Sequence, residues 1–184
     1  MKRVLVLLLG VILLFFLNGS AEKAEPVFTE FEDFTLQTGA ALEYSGEKAD
    51  GQPLFMYYPS AEGNITMAAV NAVWSQDVRT LTPEEFHTMC RETEDAVRAQ
   101  YEAGGLQLVR YETGTAVEEE LWGLPILRCD TELLIRVNDT ETKLSQRVIR
   151  VTGTFGTYLF SLSAWSPELL DEATDMLVSE LHWK

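Results

Sequence analysis

The feature that most constrains the fold is a series of short, turn-rich breaks in the second half of the chain. Apolar runs that are rich in β-branched and aromatic residues follow Gly105, at residues 106–111, 115–122, 125–137, 144–153 and 157–164. The breaks between them contain Gly, Asn, Asp and Pro, the residues that favour tight turns. Parallel strands need a long crossover connection, so breaks this short predict antiparallel neighbours. We therefore expect an antiparallel meander here.

A helix is predicted to precede the meander, over residues 83–103. Thr82, Pro83 and Glu85 form a capping box, in which Thr82 and Glu85 each accept from the other's free backbone N–H while proline opens the first turn. Apolar residues then recur at three- and four-residue spacings, which is typical of a helix that packs one face on a core. The pair 104–105 is Gly-Gly, which favours a helix end.

A second helix closes the chain. Ser166 is its predicted N-cap, Pro167 its first residue, and apolar residues up to Leu181 form its buried face. Before the first helix, residues 54–58 and 65–74 have strand-like composition. Strands and helices are thus grouped instead of alternating, which predicts an α+β domain with an antiparallel sheet and flanking helices.

This order of elements resembles the PsbP-like family of α/β/α sandwiches. Phe34-Thr35-Leu36 opens the domain, the 83–103 helix directly follows the 65–74 strand, and a turn at Gly123 leads into a long strand. The 157–164 strand then runs into the closing helix. The resemblance covers residues 30–184 and is one of pattern, because no short motif carries it.

The resemblance implies a fold and a habit of serving as a binding or accessory subunit without catalysis. It implies no functional residues, because the family has no shared catalytic signature to match. Fold likeness alone cannot supply a function.

The N-terminal residues have the pattern of a secretory signal peptide. Lys2 and Arg3 precede an apolar run at 4–17, and the small residues at 19–21 come next. The run is shorter than the roughly 20 residues that span a bilayer. We expect a protein that is secreted or held outside the cytoplasm, with an uncleaved membrane anchor as the alternative.

Three segments follow from this pattern. We expect residues 1–21 to be the signal peptide, 22–31 to be a flexible segment and 32–184 to form one α+β domain. A domain of that length buries a sufficient core without metal or disulfide support.

The chain is strongly acidic, with a formal net charge of −15. Binding to nucleic acid or to an anionic membrane surface needs a basic surface, so this balance argues against both. A cationic partner fits the charge, and so does the simpler interpretation that acidity keeps an exported protein soluble.

The chain has two cysteines, Cys90 and Cys129. Cys90 lies on the apolar stripe of the first helix, and Cys129 alternates in phase with Leu127, so both are predicted to point inward. Export permits a disulfide between them. Two buried free thiols are the alternative, and the choice depends on how close the two Cα atoms lie.

Trp122 and Trp165 are the candidate partner-binding residues. Trp122 adjoins a Gly-Leu-Pro turn and Trp165 lies at a strand–helix junction, positions from which large aromatic side chains often contact partners. Rings that cover the rim of the core are the alternative.

No catalytic or metal site is predicted, and no cofactor is implied. The chain has no GxSxG or Ser-x-x-Lys motif, and its two histidines, His87 and His182, have no ligand-like spacing to other donors. Glu118 and Glu120 share one strand face, which is more typical of a solvated edge than of a glycosidase pair.

We therefore expect an exported, non-catalytic domain that binds an unidentified protein or cell-envelope partner. A hydrolase with an acidic residue pair is one alternative, and an envelope structural protein without a dedicated ligand is another.

Overall fold

The computed structural model describes most of the region predicted to be folded. It covers residues 27–30, 33–38, 42–47, 53–57, 68–154 and 156–184, and it describes side chains for residues 30, 33–37, 73–154 and 156–184. The predicted signal peptide, residues 1–21, lies outside the described residues. Within the described ranges, no helix is both long and apolar enough to cross a membrane.

A large sheet forms the centre of the domain. Its strands are β3 (Leu42–Glu47), β4 (Pro53–Tyr57), β5 (Ala68–Ser75), β6 (Gln107–Thr113), β7 (Val117–Leu121), β8 (Leu124–Val137), β9 (Thr140–Thr152) and β10 (Thr157–Ala164). They are ordered β3-β4-β5-β10-β9-β8-β6, and β7 pairs with β8 beside β6. Every pairing is antiparallel, so the predicted meander is confirmed.

A small sheet joins the two ends of the described chain. It consists of β1 (Val27–Glu30), β2 (Phe34–Thr38) and β11 (Leu181–Trp183), in the order β1-β2-β11. Residues 27–30 fall inside the segment 22–31 that was expected to be flexible, and they pair in register with β2.

In the described part of the chain, three helices flank the large sheet: α1 (Pro83–Arg91), α2 (Glu94–Ala103) and α3 (Pro167–Glu180). The capping box is present, with the Glu85 N–H donating to the Thr82 hydroxyl at 3.2 Å and the Thr82 N–H to the Glu85 carboxylate at 2.8 Å. The Leu169 N–H likewise donates to the Ser166 hydroxyl at the start of α3. The helix starts were therefore encoded locally.

The predicted 83–103 helix is in fact two helices, because Thr93 interrupts it. The Thr93 hydroxyl donates to the Cys90 carbonyl at 2.6 Å and lies 2.8 Å from the Tyr111 hydroxyl on β6. Threonine hydroxyls that bond to nearby carbonyls compete with the helical hydrogen-bond pattern. The bond to Tyr111 joins this break to the sheet.

The two faces of the large sheet carry separate cores, because successive side chains of a strand point to opposite faces. On the α3 face, Ile149 and Phe160 pack with α3 and with β2 and β11 of the small sheet. On the α1/α2 face, Val148 and Leu159 pack with α1 and α2. Helices thus cover both faces of the sheet, which is the predicted α+β, α/β/α arrangement.

Candidate functional site

Trp122 serves the core in this structure. It stands with Gly123 in the two-residue turn between β7 and β8, both with positive φ, as hairpin turns of this length require. The indole N–H donates to the Val178 carbonyl of α3 at 3.1 Å, and the ring lies 5.8 Å from that of Phe160. The half-buried Trp122 therefore fastens the turn to α3.

Trp165 is more open, with 38% of its surface exposed after the end of β10. Trp74, which sequence reasoning did not single out, is 44% exposed and pairs with Tyr158 near the beginning of β10. The two tryptophans thus lie toward opposite ends of one strand. A partner-binding role for Trp122 and Trp165 stays a prediction.

Cys90 and Cys129 lie together in the core of the α1/α2 face, and both are free thiols in the structure. The Cys129 thiol donates to the Gly114 carbonyl at 3.5 Å. Its hydrogen bond with Cys90, reinforced by burial, raises the pKa of Cys90. A thiol that resists ionisation is a poor nucleophile, so Cys90 is unsuited to covalent catalysis.

A cavity lies on the α3 face, where α3 leaves part of the sheet uncovered. It has a volume of about 450 Å³. Residues 112–114, at the end of β6 and just beyond it, form its base together with three consecutive residues from each of β8 and β9, and Pro167 and Leu170 of α3 form one wall. By strand alternation, the side chains that point into this sheet-floor cavity are Glu112, Asp130, Glu132, Ser145 and Arg147.

Arg147 is the fixed centre of the sheet-floor cavity. It is only 6% exposed. Its Nε and Nη2 donate to the two carboxylate oxygens of Asp130 at 2.9 and 2.8 Å, and Nη1 donates to the Thr174 hydroxyl at 2.9 Å. Nη2 also lies 2.9 Å from the Asp171 carboxylate.

These contacts keep Arg147 charged. Burial lowers the pKa of its guanidinium, but the hydrogen bonds and charges of Asp130 and Asp171 outweigh burial and raise it overall. A bidentate pair of this kind holds both partners in one geometry. Arg147 therefore joins β9, β8 and α3 at the side of the cavity.

Glu112 and Glu132 occupy the other part of the cavity base. The register places them directly opposite each other on β6 and β8. Like charges at directly opposed positions destabilise a sheet. The Arg110 guanidinium lies 3.5 Å from the Glu112 carboxylate, whereas no ion pair to Glu132 occurs among the described residues.

Sequence reasoning missed these residues. Arg147 and Arg150 interrupt an apolar run, and that irregularity was the available signal. It did not reveal that Asp130 stands opposite Arg147, because strand register depends on the turn at Asn138 and Asp139, both with positive φ. In the part of the chain that the structure describes, no group of His, Cys, Asp or Glu side chains is suited to hold a metal ion.

Comparisons with known proteins place this geometry in a fold group. The sequence matches no family model and no curated protein. The solution structure of cyanobacterial PsbP (CyanoP) from Synechocystis sp. PCC 6803 matches with a TM-score of 0.51 at 13% identity, over 91% of this chain and 97% of that one.

Weaker similarities extend to other proteins. LpqN, described as involved in cell envelope biogenesis of Mycobacterium tuberculosis, has a TM-score of 0.48 at 11% identity, over 89% of this chain and 91% of that one. A protein of unknown function from Pseudomonas aeruginosa, PA94, has a TM-score of 0.40 at 10% identity, over 83% and 90%. Taken with the sheet order and its flanking helices, the match to cyanobacterial PsbP shows that this chain has a PsbP-like fold.

Proposed function

We propose that this protein is an exported, non-catalytic accessory domain that binds a basic segment of a partner protein in the sheet-floor cavity. The single observation that carries the proposal is the direct opposition of Glu112 and Glu132 at the base of that cavity. Such a pair costs stability in the free protein. A lysine or arginine side chain placed between the two carboxylates removes that cost.

The shape and charge of the cavity support this occupant. Three carboxylates and one guanidinium point into it, and Asp130 already holds the guanidinium of Arg147. The volume of about 450 Å³ accommodates one or two long side chains, not a folded domain. The net charge of −15 attracts a basic partner over longer distances and speeds encounter.

The pKa shifts of three surface carboxyl groups argue against a general-acid role for those groups. Hydrogen bonds lower the pKa of Asp77, through Arg79, and of Glu85, through the Thr82 backbone. The backbone at the beginning of α3 lowers the pKa of Glu168. A carboxylic acid that serves as a general acid near neutral pH needs a raised pKa, the opposite direction.

The test is a binding titration with a lysine-rich peptide, using a glutamate-rich peptide of equal length as the probe control. We expect the lysine peptide alone to bind, with an affinity that falls as salt is added. The double variant E112Q/E132Q should weaken binding by about tenfold, since each lost charge contact contributes on the order of 0.7 kcal/mol.

The matched control is E118Q/E120Q. It removes the same two charges from β7, where Glu118 pairs with Leu127 and therefore lies on the opposite sheet face. We expect it to leave binding unchanged. Equal losses in both double variants would mean that net charge alone attracts the peptide, and the proposed site would then be wrong.

A second measurement addresses the natural partner. Gentle extracts of the native host, separated by gel filtration, should contain the protein at a size well above that of the lone chain, and E112Q/E132Q should shift it to the size of the monomer. A wild-type protein that elutes as a monomer would contradict a stable partner complex.

A further inference from the structure

We propose that Cys90 and Cys129 form an intramolecular disulfide that fastens α1 to strand β8 when the protein folds outside the cytoplasm. The chain contains only these two cysteines, so only one intramolecular pairing is possible. The inference depends on the proposed extracytoplasmic location but not on the sheet-floor cavity.

The two thiols lie in the same core, one on α1 and the other on β8. Cys90 is the penultimate residue of α1 and is 5% exposed. Cys129 lies in the middle of β8 and is 1% exposed. Both belong to the same core cluster. The interaction with Cys129 also raises the pKa of the Cys90 thiol, and the Cys129 thiol donates to the Gly114 carbonyl at 3.5 Å.

Buried apolar side chains surround the two cysteines. Phe86, Val97 and Leu133 belong to the same cluster and are at most 1% exposed, so the folded core shields a bond at this point from external reductants. The break at Thr93 directly follows α1, and the Thr93 hydroxyl bonds to the Cys90 carbonyl. This bond fixes the backbone that carries Cys90 over the sheet.

The reaction requires a disulfide oxidant, such as a thiol–disulfide oxidoreductase of the extracytoplasmic space or oxidised glutathione. One cysteine thiolate attacks the oxidant disulfide and forms a mixed disulfide, releasing one oxidant thiolate. The second cysteine then attacks the protein sulfur of that mixed disulfide and releases the other oxidant thiolate. Two electrons pass to the oxidant, two protons leave the protein, and one S–S bond forms.

Burial sets the time at which this exchange occurs. Both thiols are enclosed once α1 has packed on β8, so the oxidant reaches them before the core closes. The bond then closes a loop in which 38 residues lie between Cys90 and Cys129. Closing a loop of this length lowers the conformational entropy of the unfolded chain substantially, which stabilises the folded protein.

The test equilibrates the purified full-length protein, unfolded and then refolded, in mixtures of reduced and oxidised glutathione. The thiols are trapped by an alkylating agent under denaturing conditions, and the intact mass is measured. We expect one two-electron transition to a species that lacks two hydrogens and carries no label. It should persist when reduced glutathione is in excess.

Reduction of that species should lower the unfolding temperature by about 10 °C, whereas the C90A/C129A double variant should show no response to reductant. Two labels on every refolded chain would overturn the proposal, and so would a glutathione adduct on either cysteine as the end product. Neither result affects the titration with the lysine-rich peptide, so the two proposals fail separately.

Discussion

The two faces of the large sheet each carry a buried core, but these cores are stabilised in different ways. The α3 face packs through aromatic rings. The ring centroid of Phe34 lies 4.9 Å from that of Tyr158, 5.6 Å from that of Phe160 and 5.2 Å from that of Trp183, and all three contacts are edge to face. The α1/α2 face packs mainly through aliphatic side chains and two thiols. Packing on the α3 face is the more specific of the two in geometry, because edge-to-face rings favour particular angles.

The two faces also differ in how their buried polar groups are hydrogen-bonded. On the α3 face, every nitrogen of the Arg147 guanidinium has a partner. On the α1/α2 face, the side chains of Tyr101, Gln146 and Ser161 each place buried polar atoms without a hydrogen-bond partner. Buried unpaired groups are costly. Among the described residues such groups occur on both faces, because the Trp183 indole N–H on the α3 face also has no hydrogen-bond partner, but more of them lie on the α1/α2 face.

The largest effect should come from truncating a ring on each face. Phe160→Ala should cost about 4 kcal/mol of unfolding free energy, and Phe86→Ala about 3 kcal/mol, because both leave cavities in a packed core. Phe160 also loses ring contacts with Phe34 and Trp122, whereas no ring pairs with Phe86 among the described residues. Urea unfolding of both variants measures the difference, and a larger loss for Phe86→Ala would invert the comparison.

A smaller effect is expected from Asp130→Asn. The amide cannot reproduce the bidentate acceptance from Arg147, although Asp171 and Thr174 still partner the guanidinium. We expect a loss of about 2 kcal/mol, less than for a fully buried pair because Asp130 is partly exposed. Glu118→Gln, the same change of charge on the other face, should stay within about 0.5 kcal/mol in the same urea unfolding assay.

The smallest effect should have the opposite sign. Tyr101→Phe removes an unpaired buried hydroxyl and should stabilise the protein by about 1 kcal/mol. Burial also raises the pKa of Tyr101 above its usual value near 10. The unfolded chain therefore loses this proton first, so stability should fall as the pH rises above about 10.

The phenylalanine variant should lack that part of the alkaline loss. Unfolding midpoints measured from pH 7 to 11 for both proteins test it, and parallel pH profiles would mean that Tyr101 does not contribute.

Much of the fold could be predicted from local sequence. The capping box at Thr82, the Ser166 cap and the turns at 122–123 and 138–139 depend on residues close together in the chain, and each occurs as local chemistry requires. The antiparallel sheet then follows from the short connections. These features are set by backbone preferences, which a single sequence exposes directly.

The missing parts depend on distant partners. Thr93 breaks the helix through a bond to Tyr111, 18 residues away. Residues 181–183 look like the end of the last helix but pair with β2 instead. Arg147 meets Asp130 across 17 residues and Thr174 across 27. The candidate site is made of such contacts, so only the structure assembled it.

The small sheet has a consequence for the order of events in biosynthesis. The backbone N–H of Lys184 donates to the Asp33 carbonyl, and the Lys184 ammonium pairs with Glu30, 154 residues earlier. Contacts between such distant residues form only after the last of them has been synthesised. While the ribosome still holds residues 181–184, β2 lacks its β11 neighbour. The small sheet is therefore completed only after these residues have left the ribosome, late in the synthesis of the domain.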